Sequence, residues 1–121
     1  MKVQLKNAHT PDGIHYRSLT LGNVYEVLGI EGDWLRLLND KGDPVLFDPV
    51  CFDVIDSMEP SHWQSEFGEE GERYAYPPEW NHAGFFEDFH DGVPEAVEEF
   101  WNQLRRYYPD SDRRRTGKDS R

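Results

Sequence analysis

A chain of 121 residues has room for one domain with one core, and its formal net charge of −11 sets it against nucleic acid and toward basic partners. Hydrophobic residues make up only 36% while aromatics reach 14%, so the core has to be compact and rich in Phe, Tyr and Trp. No apolar run approaches the roughly 18–20 residues that span a bilayer, residues 1–6 lack the apolar stretch of a secretory signal, and the single Cys51 has no intramolecular disulfide partner. These features lead us to expect a cytoplasmic protein with no membrane contact.

The acidity is local. Residues 59–100 hold twelve Asp/Glu against one basic residue, Arg73, whereas residues 101–121 hold seven Lys/Arg against three acids. Residues 1–58 lie between these extremes, with nine acids and five bases.

In chain order, Val3 and Leu5 alternate with Gln4 and Lys6, a short period-2 strand signal. His9-Thr10-Pro11-Asp12-Gly13 has the chemistry of a turn. Val24-Tyr25-Glu26-Val27-Leu28-Gly29-Ile30 is rich in β-branched and aromatic residues, and Glu31-Gly32-Asp33 turns it into Trp34-Leu35-Arg36-Leu37-Leu38. Asn39-Asp40-Lys41-Gly42 is a hairpin loop, Pro44-Val45-Leu46-Phe47 the returning strand, and Asp48-Pro49-Val50-Cys51-Phe52 a tight turn before Asp53-Val54-Ile55. Five or six short strands at this spacing favour a small barrel over residues 1–58.

Leu21-Gly22, Val24-Tyr25-Glu26-Val27, Gly32-Asp33-Trp34, Gly42, Phe47-Asp48-Pro49 and Phe52-Asp53-Val54-Ile55 resemble the corners of an SH3-like barrel. The resemblance covers residues 19–56 and implies an antiparallel barrel of α+β class once the C-terminal helices are added. The chain departs from peptide-binding SH3 domains in lacking an Ala-Leu-Tyr-Asp-Tyr-type opening. It also has a single Trp34 in place of a pair, and Asp48 before Pro49.

Residues 59–82 read as a long acidic loop carrying Trp63, Phe67, Tyr74, Tyr76 and Trp80, too aromatic to be fully disordered. Residues 83–109 read as a helical arm. A short helix is expected before Asp91-Gly92 and a second from Pro94, with Val97, Phe100, Leu104 and Tyr107 or Tyr108 in one apolar stripe that Pro109 ends. The expected domain is therefore 1–109, and residues 110–121 are expected to be a disordered tail.

No catalytic constellation emerges. Cys51, between Val50 and Phe52, reads as a small buried hydrophobe, and no Gly-x-Ser-x-Gly or phosphate-cradling loop is present. Glu87 and His90 have the Glu-x-x-His spacing of di-iron bundles, which need a second copy that this chain lacks. The Arg113-Arg114-Arg115 run reads as a solvated tail or a strap over the protein's own acidic face. We expect no enzyme activity, no cofactor, no metal and no nucleic-acid partner.

Leu21-Gly22-x-Val24-Tyr25-Glu26-Val27, Asn39-Asp40-x-Gly42 and Gly84-Phe85-Phe86-Glu87-Asp88 together resemble immunity proteins of bacterial polymorphic or contact-dependent toxin systems. That resemblance implies an inhibitor that occludes a basic toxin domain, commonly a nuclease, as a monomer or weak dimer. The charge pattern places the expected partner surface on Trp63, Glu66, Glu69, Glu70, Glu72, Trp80, Phe85, Phe86, Glu87, Asp88 and Asp91, with aromatic anchors inside an acidic rim. The alternative is an SH3-like adaptor that takes a linear peptide on Tyr25, Trp34 and Phe47.

Overall fold

The computed structural model describes residues 1–116, with side chains through Arg113, and is α+β: seven strands lead into three helices among the described residues. The strands are β1 (Lys2–Leu5), β2 (Val24–Glu31), β3 (Trp34–Leu38), β4 (Pro44–Phe47), β5 (Phe52–Asp56), β6 (Gln64–Phe67) and β7 (Arg73–Tyr76), paired throughout in antiparallel fashion. Their order is β4-β3-β2-β1-β5, and β7 joins β2 to β6. The two-residue turn between β2 and β3 places Gly32 at φ +61°, as a type II′ hairpin requires at its first central position. In the β3–β4 loop the Asn39 carboxamide oxygen accepts from the N–H of Lys41 (3.0 Å) and Asp43 (2.9 Å). The tight turn after β4 is a single 3₁₀ turn, Pro49–Cys51, whose Val50 N–H donates to Asp48 Oδ1 at 3.0 Å.

The sheet is open, with β4, β5 and β6 as its edge strands, so the closed barrel expected from the turn spacing does not form. The sheet branches at β2. One edge of this long strand is shared: Tyr25 and Glu26 pair with β1, while Ile30 and Glu31 pair with β7. The sheet thereby continues into an extra hairpin.

That hairpin corrects the expectation for residues 59–82. The stretch contains β6, β7 and a second 3₁₀ turn, Pro78–Trp80, in place of an irregular loop. All of β6 is exposed, so no apolar alternation marks it in the sequence.

β2 also divides the core. Val27 pairs with Leu37 and Gly29 with Arg36, leaving Leu28 as the extra residue of a bulge. Val27 and Leu28 are both fully buried, in different clusters. Val27 joins Val3, Leu5, Tyr25, Leu35, Leu37, Phe47 and Phe52 inside the sheet's curve. Leu28 joins Tyr76, Trp80, Phe86, Phe100, Leu104 and Tyr108, where the helices cover the other face. The chain thus has two cores where its length suggested one.

The helices are α1 (Phe85–His90), α2 (Pro94–Tyr107) and α3 (Pro109–Thr116). Pro94 opens α2, Glu95 lies in its first turn, and Arg105 and Arg106 lie in its last, an order that suits the helix dipole. The α2 stripe buries Ala96, Phe100 and Leu104, with Tyr108 buried just beyond; Val97 is only partly covered. Pro109 opens a third helix where the sequence suggested a stop, since proline is tolerated in a first turn. Ser111 Oγ donates to Glu26 Oε1 at 2.7 Å and Asp112 is buried, so the expectation of a disordered tail fails for residues 110–116. Residues 117–121 lie outside the described residues.

Candidate functional site

A cleft of about 480 Å³ lies between the β6–β7 hairpin and the segment from Trp80 to Glu87. Its floor depends on three neighbouring positions on the helix-facing side of the sheet. Arg36 pairs across the ladder with Gly29. A Cβ on Gly29 would sit 2.1 Å from Tyr76 Cδ1, so the missing side chain is the space the Tyr76 ring occupies. Tyr76 can then lie over β2 and reach the guanidinium.

Arg36 is 6% exposed, in a strand otherwise apolar, and every face of its head group is used. Nε donates to Tyr76 Oη at 3.1 Å, Nη1 to the Pro44 carbonyl at 3.0 Å, and Nη2 to Glu31 Oε1 at 2.9 Å. Its Cζ lies 3.8 Å from the centre of the Phe86 ring. Tyr76 Oη donates to Glu31 Oε1 at 2.9 Å, closing a triangle. Burial pushes the Tyr76 phenol well above its ordinary pKa, against the opposing pull of the Arg36 charge, so it remains a donor at every physiological pH.

The cleft rim is less well balanced. Register places Trp34, Glu31, Tyr74 and Glu66 in one row across β3, β2, β7 and β6, hence on one face. Glu66 and Glu87 stand on opposite sides of the cleft. Neither makes an ion pair or side-chain hydrogen bond among the described residues, and the cleft's one arginine is already committed to Glu31. His82 and Asn81 complete the rim, and Asn81 Nδ2 donates to the Gln64 carbonyl at 2.8 Å. Trp80 lines the cleft while buried, and its Nε1 has no hydrogen-bond partner among the described residues.

The structure brings some of the expected partner residues together and removes others. Glu66 and Glu87 meet at the cleft. Trp80, Phe85 and Phe86 line it from below but are buried, so they are core residues and not the exposed anchors that the sequence suggested. Trp80 stacks on Phe100 at 4.7 Å between ring centres. Trp63 is half-buried, its Nε1 donating to Tyr108 Oη at 2.8 Å. Glu69, Glu70 and Glu72 form the β6–β7 turn, where Glu72 Oε2 accepts from the Glu70 N–H at 3.1 Å. Asp88 and Asp91 are exposed on α1 and at its C-terminus, outside the cleft lining. The exposed aromatics among the residues lining the cleft are Phe67, 69% accessible, and Tyr74.

Sequence reasoning missed Glu31, Arg36, Tyr74, Tyr76, Asn81 and His82 as cleft residues. Arg36 alone carried a signal, being a charge at the centre of the apolar run from Trp34 to Leu38.

The adaptor alternative loses its residues. Tyr25 and Phe47 are buried in the first core, and only Trp34 is exposed. Tyr25 Oη donates to Asp40 Oδ1 at 2.8 Å and accepts from the Thr20 N–H at 2.8 Å. His90 Nε2 lies 3.2 Å from the Pro44 carbonyl, and no group of three or more metal-ligating side chains occurs among the described residues. Cys51 is buried, and burial pushes its thiol above the ordinary pKa. No helix among the described residues is long and apolar enough to cross a membrane. Comparison with known protein families, curated proteins and solved structures finds no match to this chain.

Proposed function

We propose that the protein is an acidic inhibitor that binds and occludes a basic domain of a protein partner, as the immunity proteins of bacterial toxin systems do, with the cleft beside β6–β7 as its contact surface. The observation that carries this reading is the pair Glu66 and Glu87, without a cationic partner among the described residues and facing one cleft whose one arginine among those residues is consumed by Glu31. A cation from outside is the natural complement of such a site. The surrounding carboxylates of Glu69, Glu70, Glu72, Asp88 and Asp91 would steer it there. A toxin that acts on nucleic acid has to present cationic groups to phosphate, and these are the groups an acidic cleft can cover. The order β4-β3-β2-β1-β5, with a 3₁₀ turn between β4 and β5, supports an SH3-like scaffold beneath the added hairpin.

The test is affinity capture from the native organism, identification of the retained protein, and reconstitution of the pair from purified components. The expected partner is basic, and its association rate falls by about tenfold or more between low and physiological salt. A partner whose association is insensitive both to salt and to reversal of Glu66 and Glu87 overturns the reading.

A further inference from the structure

Among the described residues three strands bound this sheet, and one of them, β6, is left open. The β5 edge is interrupted at Ile55, because Lys2 pairs with Asp56 and Val3 with Val54, and Asp56 stands directly beside the bulge. The β4 edge begins with Pro44, whose carbonyl receives Arg36 Nη1 and lies 3.2 Å from His90 Nε2. Bulges, prolines and covering groups are the usual protections of a sheet edge. Among the described residues β6 has no bulge, no proline and no hydrogen bond from another segment to its outer edge. Its register with β7 is continuous, from Gln64↔Tyr76 to Phe67↔Arg73, and all four residues are exposed.

The direction of its free hydrogen-bonding groups follows from the ladder. The Gly68 N–H donates to the Glu72 carbonyl at 2.8 Å, and the Arg73 carbonyl accepts from Gly32 across the other edge of β7 at 2.7 Å. Antiparallel alternation then turns the backbone groups of Gln64 and Glu66 toward β7 and those of Ser65 and Phe67 outward. β6 therefore offers two N–H and two carbonyl groups to an incoming strand. The side chains of Gln64 and Glu66 project to the cleft face.

We infer that the partner docks by adding an extended basic segment to the free edge of β6, antiparallel to it, with alternate Lys or Arg side chains reaching over the cleft toward Glu66 and Glu87. This inference rests on the cleft being the partner surface and names the way it is used. Charge selects the occupant. A second copy of this chain would bring a further −11 to the same edge and a second Glu66 to the same cleft, whereas a strand with a cation at every second position meets carboxylates. Backbone pairing supplies the affinity and the carboxylates supply the selection.

The test uses a short synthetic peptide of alternating Arg and Thr, and an analogue N-methylated at every Thr, each titrated into the full chain labelled with ¹⁵N. The analogue keeps all its charge and loses the donors that would pair with β6. The expected result is slowed amide exchange at Ser65 and Phe67 with the first peptide, and binding weakened about tenfold by N-methylation. Both peptides should bind more weakly to the Glu66→Lys/Glu87→Lys double variant. Equal binding of the two peptides, lost in that variant, overturns strand addition and leaves the cleft reading standing. Binding that the variant does not alter, or no binding by either peptide, overturns both.

Discussion

The ring of Tyr76 occupies the volume that a side chain on Gly29 would need, with Cδ1 and Cε1 both 2.1 Å from the position of a Cβ there. The Ala75 carbonyl oxygen is 2.8 Å from the same point, so backbone as well as ring would have to move. Gly29 carries no positive φ, and its requirement is one of space. Gly29→Ala is therefore expected to displace Tyr76, open the Arg36–Glu31–Tyr76 triangle and destabilise the fold by about 3 kcal/mol. Urea unfolding checks it. A loss below about 0.5 kcal/mol, within the range of neutral surface changes, contradicts this account of the cleft floor.

The buried guanidinium gives the second prediction. Removing Arg36 takes one donor each from Glu31 Oε1, Tyr76 Oη and the Pro44 carbonyl. Arg36→Met is expected to cost about 2 kcal/mol, because it takes donors from the part-buried Glu31 carboxylate and the buried Tyr76 hydroxyl. Adding Glu31→Leu removes the stranded carboxylate and should restore part of the loss. A double-mutant cycle by chemical denaturation reads the coupling. Strict additivity would mean that Glu31 and Arg36 do not support each other.

Legibility in the sequence followed burial. β2 and β3 were readable because Tyr25, Val27, Leu35 and Leu37 alternate toward an apolar core. α2 was readable because Phe100, Leu104 and Tyr108 repeat at helical spacing. β6 had no such mark, since Gln64, Ser65, Glu66 and Phe67 are all exposed. α3 was hidden because its anchors are polar, Ser111 on Glu26 and a buried Asp112. The cleft was half legible: local acid density pointed to Glu66 and Glu87, but the same reasoning assigned the nearby aromatics to the surface. Fourteen per cent aromatic content in a chain with two cores is instead consumed in filling the second, around Trp80, Phe86 and Phe100.

His62 should make stability fall on mild acidification. Burial lowers its pKa below the ordinary 6.5; Glu79 opposes that effect, while Arg106 and the N-terminal amine add to it. Its ring stacks on Tyr107 at 4.2 Å and its Nε2 lies 3.2 Å from Tyr108 Oη. The unfolded chain therefore binds a proton that the folded chain refuses, and stability drops as pH falls from the unfolded pKa toward the lowered folded one. Glu59 acts in the same direction at lower pH. Its hydrogen bonds to Arg73 hold its pKa below the ordinary 4.5, and that support is lost as pH falls through the folded value. His62→Gln should flatten the stability profile around pH 6 without altering the limb set by Glu59, measured by denaturant midpoints across pH. An unchanged profile would show that His62 protonates freely in the folded protein.

The docked third helix can be tested by length. Truncation after Tyr108 removes the Ser111–Glu26 hydrogen bond and the Asp112 N–H that donates to the Tyr108 carbonyl at 3.0 Å. Stability is expected to fall by about 1–2 kcal/mol, and Ser111→Ala alone to cost about 1 kcal/mol. Truncation after Thr116 leaves these contacts in place and serves as the reference. Equal thermal midpoints for the two truncations would mean that α3 contributes nothing to the fold.

The acidic cleft separates binding from stability. Glu66 and Glu87 are exposed and have no cationic partner among the described residues, so reversing them breaks no ion pair or side-chain hydrogen bond there. Each reversal also relieves repulsion in a chain whose net charge is −11, and the double variant is expected to be as stable as the parent or slightly more so. Association with a basic partner should slow by about tenfold or more at low salt, with a smaller difference at physiological salt, because screening shortens the reach of the lost carboxylates. Reversal of Asp88 and Asp91, which lie outside the cleft lining, should slow association through the long-range field while leaving dissociation nearly unchanged. Stopped-flow association and dissociation rates for the two double variants distinguish the roles. If reversal at Asp88 and Asp91 accelerates dissociation as much as reversal at Glu66 and Glu87, the contact extends beyond the cleft to Asp88 and Asp91.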